Sequence, residues 1–148
     1  MKPIQTVVLM GIALVLAGCG SGSSNTINGN WTAALMSTGN NSSPVFNFTV
    51  TLTATGGNNL SITNLNFTTA NSCFASGSTA TGGFSLSGNM NGVTSGGFQM
   101  NIQSAPNGGN NLLTLQGTVN NNTVTGTWTL AGTTAGCTGS GSFTMNKG

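Results

Sequence analysis

Charge is what this chain of 148 residues lacks. It has no Asp, Glu or His, and its Lys and Arg together number 2. Both are lysines, Lys2 and Lys147, and tyrosine is absent too. Attraction to nucleic acid needs clustered Lys and Arg, so nucleic-acid binding is excluded. General acid–base catalysis needs a group whose pKa can be set near the working pH, and a serine nucleophile needs a base beside it. Lys147 is the one ordinary ionisable side chain outside the first residues, and it lies in a tail where chains fray. The expectation is therefore a protein that is not an enzyme and has no catalytic residue. Zinc and calcium sites draw on His, thiolate or carboxylate ligands, so no metal-binding residue and no cofactor are expected.

Proline is scarce, at 3 residues, while glycine reaches 24. Uncharged chains rich in Gly, Asn and Ser are often disordered, but only where they have too few apolar side chains to bury. Here Phe, Trp, Leu, Ile, Val and Met recur at regular intervals. Residues 45–55 carry apolar Phe46, Phe48, Val50, Leu52 and Ala54, alternating with Asn47, Thr49, Thr51, Thr53 and Thr55. A period of two puts one face in a core and the other in water. The same alternation appears in Trp31-Ala33-Leu35, Phe84-Leu86, Phe98-Met100-Ile102, Leu113-Leu115-Val119, Val124-Trp128-Leu130 and Phe143-Met145. Between Leu60-Ile62 and Leu65-Phe67 the phase slips by one, and an extra residue near Thr63-Asn64 restores the facing, as a β-bulge does. About eight strands result, with no helical pattern of useful length.

Two hairpins can be registered by hand. With Asn121-Asn122 as a two-residue turn, Val119 faces Val124, Gly117 faces Gly126, Leu115 faces Trp128 and Leu113 faces Leu130. Asn tolerates the positive φ that such turns require. With Gly56-Gly57-Asn58 as a three-residue loop, Ala54 faces Leu60 and Leu52 faces Ile62. Beyond the bulge, Val50 then meets Leu65 and Phe48 meets Phe67. Residues 91–96 and 106–110 also carry turn chemistry.

The fold class expected is all-β, one antiparallel domain. Open sheets guard their edge strands with Lys, Pro or other charge, and this chain has little of either. Closure removes the edges, so an up-and-down β-barrel is favoured, with a β-sandwich as the alternative. Gly29-Asn30-Trp31 at the first strand resembles the Gly-x-Trp start of lipocalin- and avidin-like barrels, and Gly126-Thr127-Trp128 repeats it. The resemblance speaks to shape only, because no functional residue of those families has a counterpart here. About two dozen apolar side chains point inward on these registers, enough to fill a small barrel, although such barrels also hold single small ligands.

The first residues carry a different message. Lys2 gives a positive start, residues 4–16 are an apolar run too short to span a bilayer permanently, and small residues lead to a cysteine. The ending Leu16-Ala17-Gly18-Cys19 resembles the lipobox of bacterial lipoproteins. That resemblance implies cleavage before Cys19, diacylation of its sulfur (palmitate-type chains) and membrane attachment through the lipid. An ordinary secretory signal with Cys19 as a spare thiol is the alternative. The expected division is 1–18 signal peptide, 19–27 lipidated cysteine and flexible tether, and 28–148 β domain. At about 3.3–3.6 Å per residue the tether reaches at most roughly 30 Å. Gly20 stands where lipoproteins retained at the inner membrane often carry Asp, which points to the outer membrane in a two-membrane host.

Once Cys19 is assigned to lipid, Cys73 and Cys137 remain as a pair in an exported, oxidising compartment and are expected to form a disulfide. Two thiolates lack the further ligands that tetrahedral zinc needs. The Thr-rich wet faces invite ice-binding or amyloid-fibre readings, but the regular repeat of either is missing, and Thr suits a solvated strand face. The function expected is a membrane-anchored envelope module, structural or interacting, with an uncharged polar β surface. The alternative is a barrel carrying a small neutral or apolar ligand. The protein or small-molecule partner is not specified by the sequence.

Overall fold

The computed structural model describes residues 27–39, 42–69, 71–74, 78–88, 94–105 and 109–148. The leader, Cys19 and most of the tether lie outside the described residues. The strands are β1 (Gly29–Ser37), β2 (Phe46–Thr55), β3 (Asn59–Phe67), β4 (Thr79–Gly88), β5 (Thr94–Ser104), β6 (Asn111–Asn120), β7 (Thr123–Gly132) and β8 (Gly139–Lys147). Each is antiparallel to its neighbours in sequence, and β1 pairs with β8, so the sheet closes as an up-and-down barrel. It is a barrel, not a sandwich.

The expected register of β6 with β7 holds throughout, and that of β2 with β3 holds except that Val50 and Leu65, expected to meet, are not paired in the irregular stretch. Val119 pairs with Val124, Gly117 with Gly126, Leu115 with Trp128 and Leu113 with Leu130, and Asn121 takes a φ of 53° in the turn. Ala54 pairs with Leu60 and Leu52 with Ile62 around a 3-10 turn at Gly56–Asn58. The ladder between β2 and β3 shifts between Thr49 and Thr51: Thr51 pairs with Thr63, but Phe48 pairs with Phe67. Asn64, at φ 53°, is the residue that absorbs the bulge. The β4–β5 turn (residues 89–93) and residues 106–108 lie outside the described residues. Residues 94–96, expected as turn, already belong to β5.

The inward register is apolar and buried. Trp31, Leu35, Phe48, Leu52, Met100, Ile102, Leu113, Leu115 and Met145 are almost fully shielded, and Ala80 and Phe84 of β4 pack against them. Inward glycines make room for the bulkiest rings. Gly117 and Gly126 face each other across the β6–β7 ladder, and a Cβ on Gly117 would approach the Phe143 ring to 3.1 Å. Phe98 then lies 6.4 Å from Phe143, centroid to centroid. Small opposite large is how a narrow barrel fills its taper.

The outward register is Thr, Ser, Asn and Gln, including Thr118, Thr125, Thr127 and Thr129, and Leu112 is the exposed large apolar residue among those described. Membrane-spanning barrels have the opposite arrangement, with an apolar band facing lipid. Among the described residues no helix is long and apolar enough to cross a membrane.

One seam differs from the rest. β3 and β4 pair only at Asn59–Gly83 and Leu60–Gly82, whereas β4 and β5 pair at ten positions and β1 and β2 at seven.

Candidate functional site

Among the described residues the two ends of the barrel are held by different contacts. At one end lie the β2–β3 and β6–β7 turns together with both ends of the barrel chain. Ile27, assigned from sequence to the tether, is instead fully buried with the core. Its carbonyl accepts the indole N–H of Trp31 at 2.8 Å, and Asn28 Oδ1 accepts the Ala54 N–H at 2.6 Å. The domain therefore starts at least one residue earlier than expected. An isolated isoleucine after a Gly/Ser run gives no periodicity by which to place it.

At the other end, the segment after β3 folds back over the barrel. It begins with Thr68 donating its N–H to the Asn47 carbonyl at 2.9 Å. Asn71 Oδ1 then accepts the N–H groups of Cys73 and Phe74, at 3.1 and 2.8 Å. This is the side-chain-made turn for which Asn is suited, and it turns Phe74 inward. Phe74 is buried, stacks on Phe67 at 4.5 Å and meets Phe46 edge-on at 5.6 Å. Phe46 in turn meets Trp128 at 5.9 Å. Aromatic pairs of this geometry add to area burial by roughly 0.5–1.5 kcal/mol each.

Cys73 and Cys137 are bonded, with Cα atoms 5.5 Å apart. The bond joins the β3–β4 segment to the β7–β8 segment. Closing a loop of 64 residues constrains the unfolded chain by roughly 4 kcal/mol in the entropy description. Asn111, fully buried at the start of β6, reinforces the same junction. Its Nδ2 donates to the Cys73 carbonyl at 3.0 Å and to Thr134 Oγ1 at 3.1 Å. A Cβ on Gly132 would overlap Asn111 and the Cys137 carbonyl, so glycine there is what lets the two segments meet. Neither Phe74 nor Asn111 was identifiable from sequence, because both sit where alternation stops.

Three depressions of the outer face are lined by described residues. The first, about 330 Å³, lies over β4, β5 and β6 between Ser85, Gln99 and Gln116, with Gly83 and Gly97 in its floor. A second, about 280 Å³, adjoins it through Gly83 and Gln99 and continues over the β3–β4 seam past Asn59, Thr81 and Asn101. A third, about 360 Å³, lies over β7, β8 and β1 and is lined by hydroxyls, among them Ser37, Thr127, Ser140 and Ser142. None contains a charged group. Among the described residues no cluster of His, Cys, Asp or Glu could hold a metal.

The chain matches no family model, and comparison with curated proteins and with solved structures found no match.

Proposed function

We propose that this protein is a lipid-anchored module of the bacterial cell envelope that works through the outside of its barrel and carries out no catalysis. The observation that carries the reading is the division between the barrel's two surfaces. The interior, among the described residues, is packed with apolar side chains, with Ile27 buried at one end and the disulfide-pinned Phe74 at the other. The exterior is polar and uncharged. A binding protein that carries its ligand inside needs a cavity of several hundred cubic ångströms, and side chains from all eight strands fill this interior. That filling supports a structural or interacting role over internal carriage. With no carboxylate, imidazole or guanidinium side chain in the sequence and Lys147 the one ammonium of the barrel, a charged partner would lose hydration and gain little in counter-ions. The partner expected is neutral.

The anchor in this proposal is lipid on Cys19, which is also where cleavage of the leader would leave the new amino terminus. Two or three acyl chains hold a protein to a bilayer, whereas a single chain binds marginally. The described chain enters the barrel at Ile27, at the end that carries the β2–β3 and β6–β7 turns and opposite the disulfide. In a two-membrane host the outer membrane is the proposed home. Cys19→Ser should leave the membrane fraction or accumulate unprocessed, while the wild type should carry an acyl mass on its first residue. A variant that still sediments with membranes, beside a wild type free of acyl groups, would remove the proposal.

A further inference from the structure

We infer that the groove over β4, β5 and β6, with its extension across the β3–β4 seam, binds a neutral oligosaccharide. The inference deepens the proposal that the outer face is the working face. It begins with Gly97. Glycine in a strand interior weakens the strand, and it is kept where a bulge, a tight bend or a close approach requires it. Several other strand glycines have such reasons. Cβ atoms on Gly117, Gly126, Gly132 and Gly141 would collide with main chain, and one on Gly82 would come within 2.8 Å of the Gln99 carbonyl oxygen.

Gly97 has none of these reasons. It pairs regularly with Ser85 and Thr118, its φ is not positive, and a Cβ there would meet nothing within 4 Å. Its bare surface is left open to the outside, in the floor of the first depression. The space that a side chain would fill is available to a ligand.

The groove walls specify the ligand. Ser85, Gln99 and Gln116 line the first depression, and Thr81, Gln99 and Asn101 line its extension. Gln99 pairs directly with Gln116 across the β5–β6 ladder, so two amides stand side by side. Both are exposed, and neither side chain hydrogen-bonds another group among the described residues. Each amide offers an acceptor oxygen and two N–H donors, a set that matches adjacent sugar hydroxyls, which both donate and accept. Phe84, Phe98 and Gly117 occupy the inward register, so they present main chain to the groove. The open main chain at Gly97, where a Cβ would meet nothing within 4 Å, lets a pyranose ring approach at close range. The site contains no charge, which excludes anionic and cationic sugars on desolvation grounds. The two connected depressions together give room for more than one sugar unit.

The test uses the full-length processed protein in detergent micelles, labelled with nitrogen-15. Maltotriose, cellotriose and N-acetylated chitotriose serve as neutral probes, and a sialylated trisaccharide serves as the charged one. At least one neutral probe should shift the side-chain amide signals of Gln99 and Gln116. Gly97→Thr should weaken that binding tenfold or more while its thermal midpoint stays or rises, because the new side chain enters open space on a strand. Gly97→Ala and Gln116→Ala should weaken it in the same direction, and Thr127→Val in the hydroxyl-lined depression should leave it unchanged. Unmoved glutamine signals with every neutral probe would overturn the inference. So would unaltered binding by Gly97→Thr, or shifts confined to the charged probe. Shifts that follow protein concentration without sugar would replace the oligosaccharide by a second copy of the chain. Membrane fractionation reports the anchor separately, so failure of the groove and failure of the lipid proposal stay distinguishable.

Discussion

Along β6 and β7 ten residues pair in unbroken register from Asn111–Gly132 to Asn120–Thr123, while between β3 and β4 the ladder is two residues long. The first pair of strands is joined by two residues, the second by the eleven between Phe67 and Thr79. A two-residue turn fixes register at once, and every later pair inherits it. A long connection fixes nothing by itself. At the β3–β4 seam the alignment is held from outside the ladder, by Phe74 stacked on Phe67, by Asn111 on the Cys73 carbonyl and by the Cys73–Cys137 bond. One seam is held by its own hydrogen bonds, the other by what crosses over it.

Removing the disulfide should break this contrast most deeply. Cys73→Ser together with Cys137→Ser should lower stability by roughly 4 kcal/mol, measured by denaturant unfolding. Native-state hydrogen exchange should then show β3 and β4 amides opening first and β6 and β7 amides last, since exchange maps local stability. Equal loss of protection in both pairs of strands would mean that the seams are energetically alike.

A smaller effect should separate the two left-handed asparagines. Asn64 at the bulge and Asn121 at the turn share a φ of 53°, but only the turn position is served by a long ladder on both sides. Asn64→Val should cost about 1–2 kcal/mol through the left-handed backbone penalty, with the β2–β3 pairing most affected. Asn121→Gly should stay within a few tenths of a kcal/mol, because glycine adopts that conformation freely. A cost at Asn121→Gly as large as that at Asn64→Val would contradict the assignment of the cost to the left-handed backbone.

The smallest effect should come from pH. Stability changes with pH only where the unfolded chain binds a different number of protons from the folded one. The described barrel contains no Asp, Glu, His or Tyr and its two cysteines are bonded. Lys147 is its one ionisable side chain, so the two states differ little in bound protons and the thermal midpoint should be flat from about pH 4 to pH 9. Both seams should share that flatness, read by fluorescence of Trp31 and Trp128. A midpoint that moved across neutral pH would reveal a titrating partner bound to the barrel.

What the sequence discloses follows the same division. Strict alternation and turn asparagines were enough to register β6 with β7 residue by residue, and to place the bulge in β3. The barrel followed from edges with no charge to guard them, and the disulfide from an even pair of cysteines left after Cys19. Phe74, Ile27 and Asn111 escaped notice because each acts outside a periodic strand, where local pattern has no period to count. The groove escaped for another reason. The openness around Gly97 is a property of three neighbouring strands in register, and a single strand read alone shows only a glycine.

The way the chain enters the barrel has a mechanical consequence. Tension applied through Ile27 is delivered along β1, which is laddered over seven residues to β2 and over seven to β8. Pulling along such a strand loads both rows of hydrogen bonds in shear, so they must yield together, whereas pulling across it would open them one at a time. Gly148 bonds its N–H to the Asn30 carbonyl at 2.9 Å beside the same entry point, which clamps the loaded strand where the force arrives. A barrel held by this end is fastened by its strongest direction.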